Sequence, residues 1–204
     1  GSGSIGTGAG TVDDPGDMMI IGNTTPRYSY SFRIEASWNG FDISAFFQGV
    51  GKRDWYPTAN KDDIYGANQF WQLYGYTIPS FITYDFMDDV WSEQNLGGYF
   101  PRLRPIQSYN GGPLGQNNDR YLQSVAYLRF KNLTIGYTLP VLKKYLSKLR
   151  IYVSGENLCY WSPLKKHCKL IDPELAISSG TYKGGTGTGY TMPRTFSFGV
   201  DITF

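Results

Sequence analysis

The stretch RYSYSFRIEASWNGFDISAFFQG, Arg27 to Gly49, places Tyr28, Tyr30, Phe32, Ile34, Ala36 and Trp38 at every second position, and after Asn39-Gly40 it resumes with Phe41, Ile43, Ala45 and Phe47. Successive side chains on a strand point to opposite faces, so this period predicts two strands, each with one apolar face. Asn-Gly is the favoured two-residue hairpin turn because both central positions need positive φ. That turn sets Trp38 opposite Phe41, Ala36 opposite Ile43, Ile34 opposite Ala45 and Phe32 opposite Phe47. Both apolar sets then share one side, which pins the register. The other side carries Ser31, Arg33, Glu35, Ser37, Asp42, Ser44 and Gln48, too polar for an ordinary core.

The same alternation recurs downstream. In YLRFKNLTIGYTLP, Leu133, Ile135, Tyr137 and Leu139 share a face, whereas Leu128 and Phe130 follow the opposite parity. A bulge near Lys131-Asn132, or exit from the apolar layer, accounts for the switch, and Pro140 ends the strand. VLKKYLSKL suggests one or two helical turns before RIYVSGENL. The closing RTFSFGVDITF alternates Phe196, Phe198, Val200, Ile202 and Phe204 with Thr195, Ser197, Gly199, Asp201 and Thr203. The expected strands cover about 28–38, 41–50, 124–139, 149–158 and 194–204, within an all-β, antiparallel unit spanning 28–204. Their connections alternate: two residues, then the long 51–123, then the short 140–148, then the long 159–193.

Composition narrows the function classes. The formal charge of +2 comes from scattered basic residues, which argues against a nucleic-acid surface. No run approaches the roughly 20 apolar residues of a membrane-spanning helix, so only β-structure could cross a bilayer. The glycine-rich opening GSGSIGTGAG lacks a signal peptide's apolar core and looks like a flexible linker, and residues 1–27 as a whole form a linker and lead-in, with the natural N-terminus expected elsewhere. Catalysis finds little support. The chain has one histidine, His167, and no nucleophile elbow, phosphate-cradling loop or metal-binding helix motif. Asp62-Asp63 and Asp88-Asp89 are adjacent and point apart in an extended chain. The acidic DDPGD, Asp13 to Asp17, lacks the spacing of a calcium loop and suits a solvated turn, so no metal is expected. Cys159 and Cys168 bracket the ten-residue CYWSPLKKHC. They fit a disulfide in an oxidising space, two partly buried thiols, or, with His167, an unusual metal set.

Three features favour lipid over a protein core beneath the apolar face: the polar opposite face, the short-long alternation of connections, and aromatic residues at strand ends such as Trp38, Phe41, Tyr137 and Phe204. Five strands fall short of the roughly eight of the smallest transmembrane barrels. An open edge in hydrocarbon would leave backbone groups unpaired, so the remainder of a barrel is expected as a partner. The rival from another class is a soluble β-sandwich carbohydrate-binding module, with the Phe196–Phe204 face buried against a second sheet.

The order IIGNTTPRYSYSF, NGFDISAFFQGVG, VWSEQNLGGYFPRLR, YLRFKNLTIGYTLP, IYVSGENLCYW, DPEL and PRTFSFGVDITF resembles the C-terminal end of a SusC-like (SusC/RagA) TonB-dependent outer-membrane transporter, from about Met18 to Phe204. The resemblance implies the last five strands of a transmembrane barrel of about 22 strands, in the outer membrane of a Gram-negative bacterium. It also implies a SusD-like surface lipoprotein over the extracellular face, outer-membrane lipid around the wall, and nutrient uptake, of glycan or peptide, powered by the TonB complex. TonB would act through a plug domain that nothing in these residues matches. No cofactor is implied.

With the C-terminus periplasmic, 51–123 and 159–193 become extracellular loops, and the outward-facing terminal Phe204 becomes the barrel-assembly signal. In this arrangement Trp55, Tyr56, Trp71, Tyr74 and Tyr76, with Tyr65 and Phe70, are candidates to stack on substrate, against a purely structural role in holding the loop together. YFPRLR, Tyr99 to Arg104, is expected to organise the loop. Arg33, Glu35, Asp42, Arg150, Glu156 and Asp201 are expected to face the lumen, in structural pairs or along the transport path.

Overall fold

The computed structural model describes residues 8, 11, 13–14, 16, 19–56, 86–100, 102, 118–140, 146–169, 171–176 and 192–204. Its strands are β1 (Ser29–Trp38), β2 (Phe41–Val50), β3 (Asp54–Trp55), β4 (Gln123–Ser124), β5 (Tyr127–Leu139), β6 (Lys148–Trp161) and β7 (Thr195–Thr203). Five of them form one antiparallel sheet in the order β1-β2-β5-β6-β7, and β3 pairs with β4 in a separate ribbon. The expected turns in VLKKYLSKL fall largely on 141–145, outside the described residues.

The hairpin has the register its turn requires, with Trp38 opposite Phe41 and Phe32 opposite Phe47. Asn39 and Gly40 have φ of 47° and 84°, the positive values of a type I′ turn. The parity switch in β5 is a bulge: against β2, Phe47 faces Phe130 and Phe46 faces Asn132, leaving Lys131 as the extra residue, while on the other side Phe130 faces Cys159 and Asn132 faces Glu156. On β6 the same place is occupied by Asn157, in the left-handed region at φ 51°. The bulge returns both strands to register, which is why β6 continues to Trp161 rather than stopping at 158. Conversely, 123–124 leaves the main sheet to pair with 54–55.

Adjacent rows across the sheet differ in character, with Phe46 as an apolar member of the polar row of Arg33, Asn132 and Glu156. Ala36, Ile43, Ile135, Val153 and Phe198 are successive partners on one face. The adjacent row, Glu35, Ser44, Thr134, Ser154 and Ser197, lies on the other. On the apolar face Phe32, Phe47 and Phe130 stack across three strands at centroid distances of 4.9 and 4.5 Å. That face is uncovered: Ile34, Val153 and Phe198 are 57%, 52% and 71% exposed. Among the described residues no second sheet lies over it, which disfavours the sandwich reading. The buried core lies instead among the connections at one end of the sheet.

Candidate functional site

The two long connections build that core. Trp55, Val90, Phe100, Tyr121, Val125, Leu164, Cys168 and Ala176 are its buried apolar members, with Tyr56, Tyr99 and Ile171 packed against it. The β3–β4 ribbon brings Trp55 beside Gln123. The 3-10 turn Pro163–Lys166, capped by Ser162 Oγ accepting from Leu164 N, drops Leu164 into the centre. Residues 86–100 fold on themselves: Asn95 Nδ2 donates to the carbonyls of Asp88 (2.8 Å) and Val90 (3.1 Å). Gly98 packs directly on the Val90–Trp91 backbone, where any Cβ would collide.

Tyr99 joins the segments. Its hydroxyl donates to Arg120 O at 2.7 Å and accepts from Gln123 Nε2 at 2.7 Å. Its ring stacks on His167 with centroids 3.5 Å apart, and His167 Nδ1 lies 2.9 Å from Asp89 Oδ2. Burial pushes the Tyr99 phenol up, and that of Tyr56 to about 12. Both therefore remain protonated donors near neutral pH.

This packing redefines the aromatic candidates. Trp55 is 2% exposed, so its ring has no face left for a ligand. Tyr56 is half-buried, and its oxygen accepts from Asn118 Nδ2 at 3.1 Å. Both hold loops together, as Tyr99 and Phe100 of YFPRLR do. Trp71, Tyr74 and Tyr76 lie outside the described residues. Cys159 and Cys168 are free thiols, so the disulfide considered above is not formed. Cys159 stands opposite Phe130 on the apolar face, whereas Cys168 is sealed in the loop core, where burial pushes its thiol up and leaves it unreactive. Among the described residues no three His, Cys, Asp or Glu side chains are placed to hold a metal ion.

On the polar face, Arg33, Glu35, Asp42, Arg150, Glu156 and Asp201 share one side of the sheet. Arg150 of β6 reaches across β5, donating from Nε (2.9 Å) and Nη2 (2.6 Å) to Asp42 of β2, and from Nη1 (2.9 Å) to Asp201 of β7. The crossing depends on Gly136, where a Cβ would sit 2.6 Å from Arg150 Nε and 2.7 Å from Asp42 Oδ1. Arg33 and Glu35 form a looser, exposed pair at 3.5 Å, and Glu156 stands exposed. Asp42 receives two charged hydrogen bonds and is the less exposed acid, so Asp42→Asn is expected to couple to Arg150→Met by about 1 kcal/mol, and Asp201→Asn by less. Double-mutant cycles of unfolding in detergent read this out; equal coupling for both acids would contradict the geometry.

A second charged cluster, absent from the sequence reading, lies near the loop core. Arg129, Lys131, Asp172 and Glu174 meet on the polar face, with Arg129 2% exposed and paired to Asp172. Lys131 Nζ is 2.9 Å from Glu174, and Tyr127 Oη donates to Glu174 at 2.9 Å. The parity of Leu128 and Phe130 already put Arg129 on the polar face; its partners belong to a connection that no periodicity constrains.

Fold and site together define a class: an all-β protein built on one antiparallel sheet, apolar on one face and polar on the other, with a loop core at one end. No family model matches the chain. It is 28% identical over 198 residues to TonB-dependent receptor P3 of Formosa agariphila, covering 92% of this chain and 17% of that protein. Among solved structures it matches the RagAB peptide transporter, with a TM-score of 0.55 at 22% identity over 91% of this chain and 18% of that one. It also matches the RagAB peptide importer in the "open-open" state, with a TM-score of 0.56 at 21% identity over 95% and 19%. The chain is thus similar in sequence to a TonB-dependent receptor and in fold to the RagAB structures, and it spans less than a fifth of the length of each.

Proposed function

We propose that residues 28–204 are the C-terminal wall segment of a TonB-dependent nutrient importer, the last five strands of a closed barrel of about 22 strands in the outer membrane of a Gram-negative bacterium. The observation that carries this reading is the apolar face, uncovered across all five strands of a sheet whose two outer edges pair with no described residue. In water such a face is an aggregation surface and such edges recruit further strands; in a closed barrel the first meets lipid and the second disappear.

The polar face then lines the lumen, with Arg150, Asp42 and Asp201 as an internal brace and Arg33, Glu35 and Glu156 more open to passing solute. The Asn39-Gly40 turn lies on the periplasmic side. The loop core lies outside, with residues 1–27 as the extracellular lead-in, and Phe204 ends the outward row as the assembly signal. Glycan or peptide is taken up beneath a SusD-like lipoprotein, with energy from the TonB complex through a plug that these residues do not contain. Trp71, Tyr74 and Tyr76 are the loop aromatics assigned to substrate. The protein works as a transporter rather than an enzyme.

The test is cell fractionation of the intact protein. It is expected in the outer membrane, resisting carbonate and urea and leaving only with detergent. Recovery as a folded β-protein in the aqueous fraction would overturn the reading.

A further inference from the structure

We propose that residues 171–176 are a releasable ionic strap, fastening the loop core to the polar face of the sheet through Arg129. Arg129 is the anomaly that leads there. Arg33, on the same face, has a side chain 61% exposed, whereas that of Arg129 is 2% exposed. What covers it is the strap, together with the ring of Tyr160 4.8 Å beneath the guanidinium.

The strap presents both acids from one tight turn. Leu175 N and Ala176 N donate to Asp172 O at 3.0 and 3.1 Å, and Glu174 N donates to Asp172 Oδ1 at 3.0 Å. Pro173 is fully buried within that turn. Asp172 takes a hydrogen bond from Arg129 Nη2. Glu174 approaches Arg129 Nε at 3.1 Å, an ion pair without a well-directed hydrogen bond, while also accepting from Lys131 and Tyr127. At its ends the strap is tied by Tyr160 Oη donating to Ile171 O at 3.4 Å and by Ala176, 0% exposed in the loop core.

The chemistry of the fastening separates a strap from a permanent joint. Two cations meet two anions, so the closed cluster is neutral. A buried ion pair roughly breaks even against apolar residues of the same volume, whereas removing one partner is strongly unfavourable. A permanent joint would be served as well by leucines. Charges differ in that all four regain water when the strap lifts into a wet space, which keeps the open state accessible. Removal of Arg129 should therefore free the strap and leave both the sheet and the rest of the loop core closed.

Hydrogen–deuterium exchange on the intact protein in detergent tests this. In Arg129→Met the amides of Glu174, Leu175 and Ala176 are expected to exchange about a hundredfold faster, those of β5, β6 and residues 90–100 remaining unchanged. Glu174→Gln lies on the connection and does not disturb β5, so it keeps the test open if the first variant misassembles; about a tenfold acceleration at the same amides is expected there. Unchanged exchange would overturn the strap, showing that Ala176 packing alone holds the segment. Equal acceleration throughout residues 90–100 and 121–125 would also overturn it, since strap and loop core would then open as one body.

Discussion

Trp55→Ala is expected to destabilise the loop core by about 3–5 kcal/mol while the five-stranded sheet stays intact. Trp55 is among the largest fully buried side chains, at the point where the β3–β4 ribbon meets Val125, Leu164 and Phe100. Its truncation leaves a cavity that rigid neighbours on both long connections cannot jointly fill. The loss falls on one end of the molecule because the sheet contributes little to this core. Limited proteolysis of the assembled protein should show new cleavage within 86–100 and 162–176 and none in β5 or β6, and Trp55→Phe should recover most of the protection. If Trp55 were instead a ligand contact, the Ala variant would weaken substrate binding and leave the protease pattern unchanged.

A comparably large effect is expected from Phe198→Arg, set against the negligible effect of Ser197→Arg one residue away. Phe198 belongs to the row Ala36, Ile43, Ile135, Val153, on the uncovered face. In the proposed barrel a cation there would face hydrocarbon, at a cost of about 2–4 kcal/mol near mid-span. Ser197 belongs to the row Glu35, Ser44, Thr134, Ser154, where an arginine meets water and a nearby carboxylate. The unfolding midpoint in lipid vesicles and the yield in the outer membrane should both fall for the first variant alone. Equal tolerance at the two positions would mean that the apolar face never meets lipid.

Much of this was readable from residue order because strands are periodic. Alternation named the apolar and polar rows, and Asn39-Gly40 fixed their register, since one residue of slip would turn every apolar side chain to the wrong face. The polar-face positions of Asp42, Arg150 and Asp201 followed from parity alone. The brace joining them did not, because it spans β2, β6 and β7 and requires the bare backbone of Gly136 between them. Trp55 and Tyr56 stood as substrate candidates beside a purely structural role because an aromatic residue in a long connection has the same appearance whether it stacks on a ligand or on its own loop. Burial distinguishes the two, and burial depends on residues distant in sequence, from Val90 to Ala176.

Sequence alone determined the all-β class, the two faces, the tight turn and the family resemblance, because each rests on local spacing or on motifs in order. Tertiary structure decided where the core lies, that Lys131 is the bulge, that the two cysteines stay apart, and that Arg129 is buried against Asp172 and Glu174. These outcomes depend on which connections meet at the end of the sheet. Long-range packing selects that meeting, and no local period encodes it.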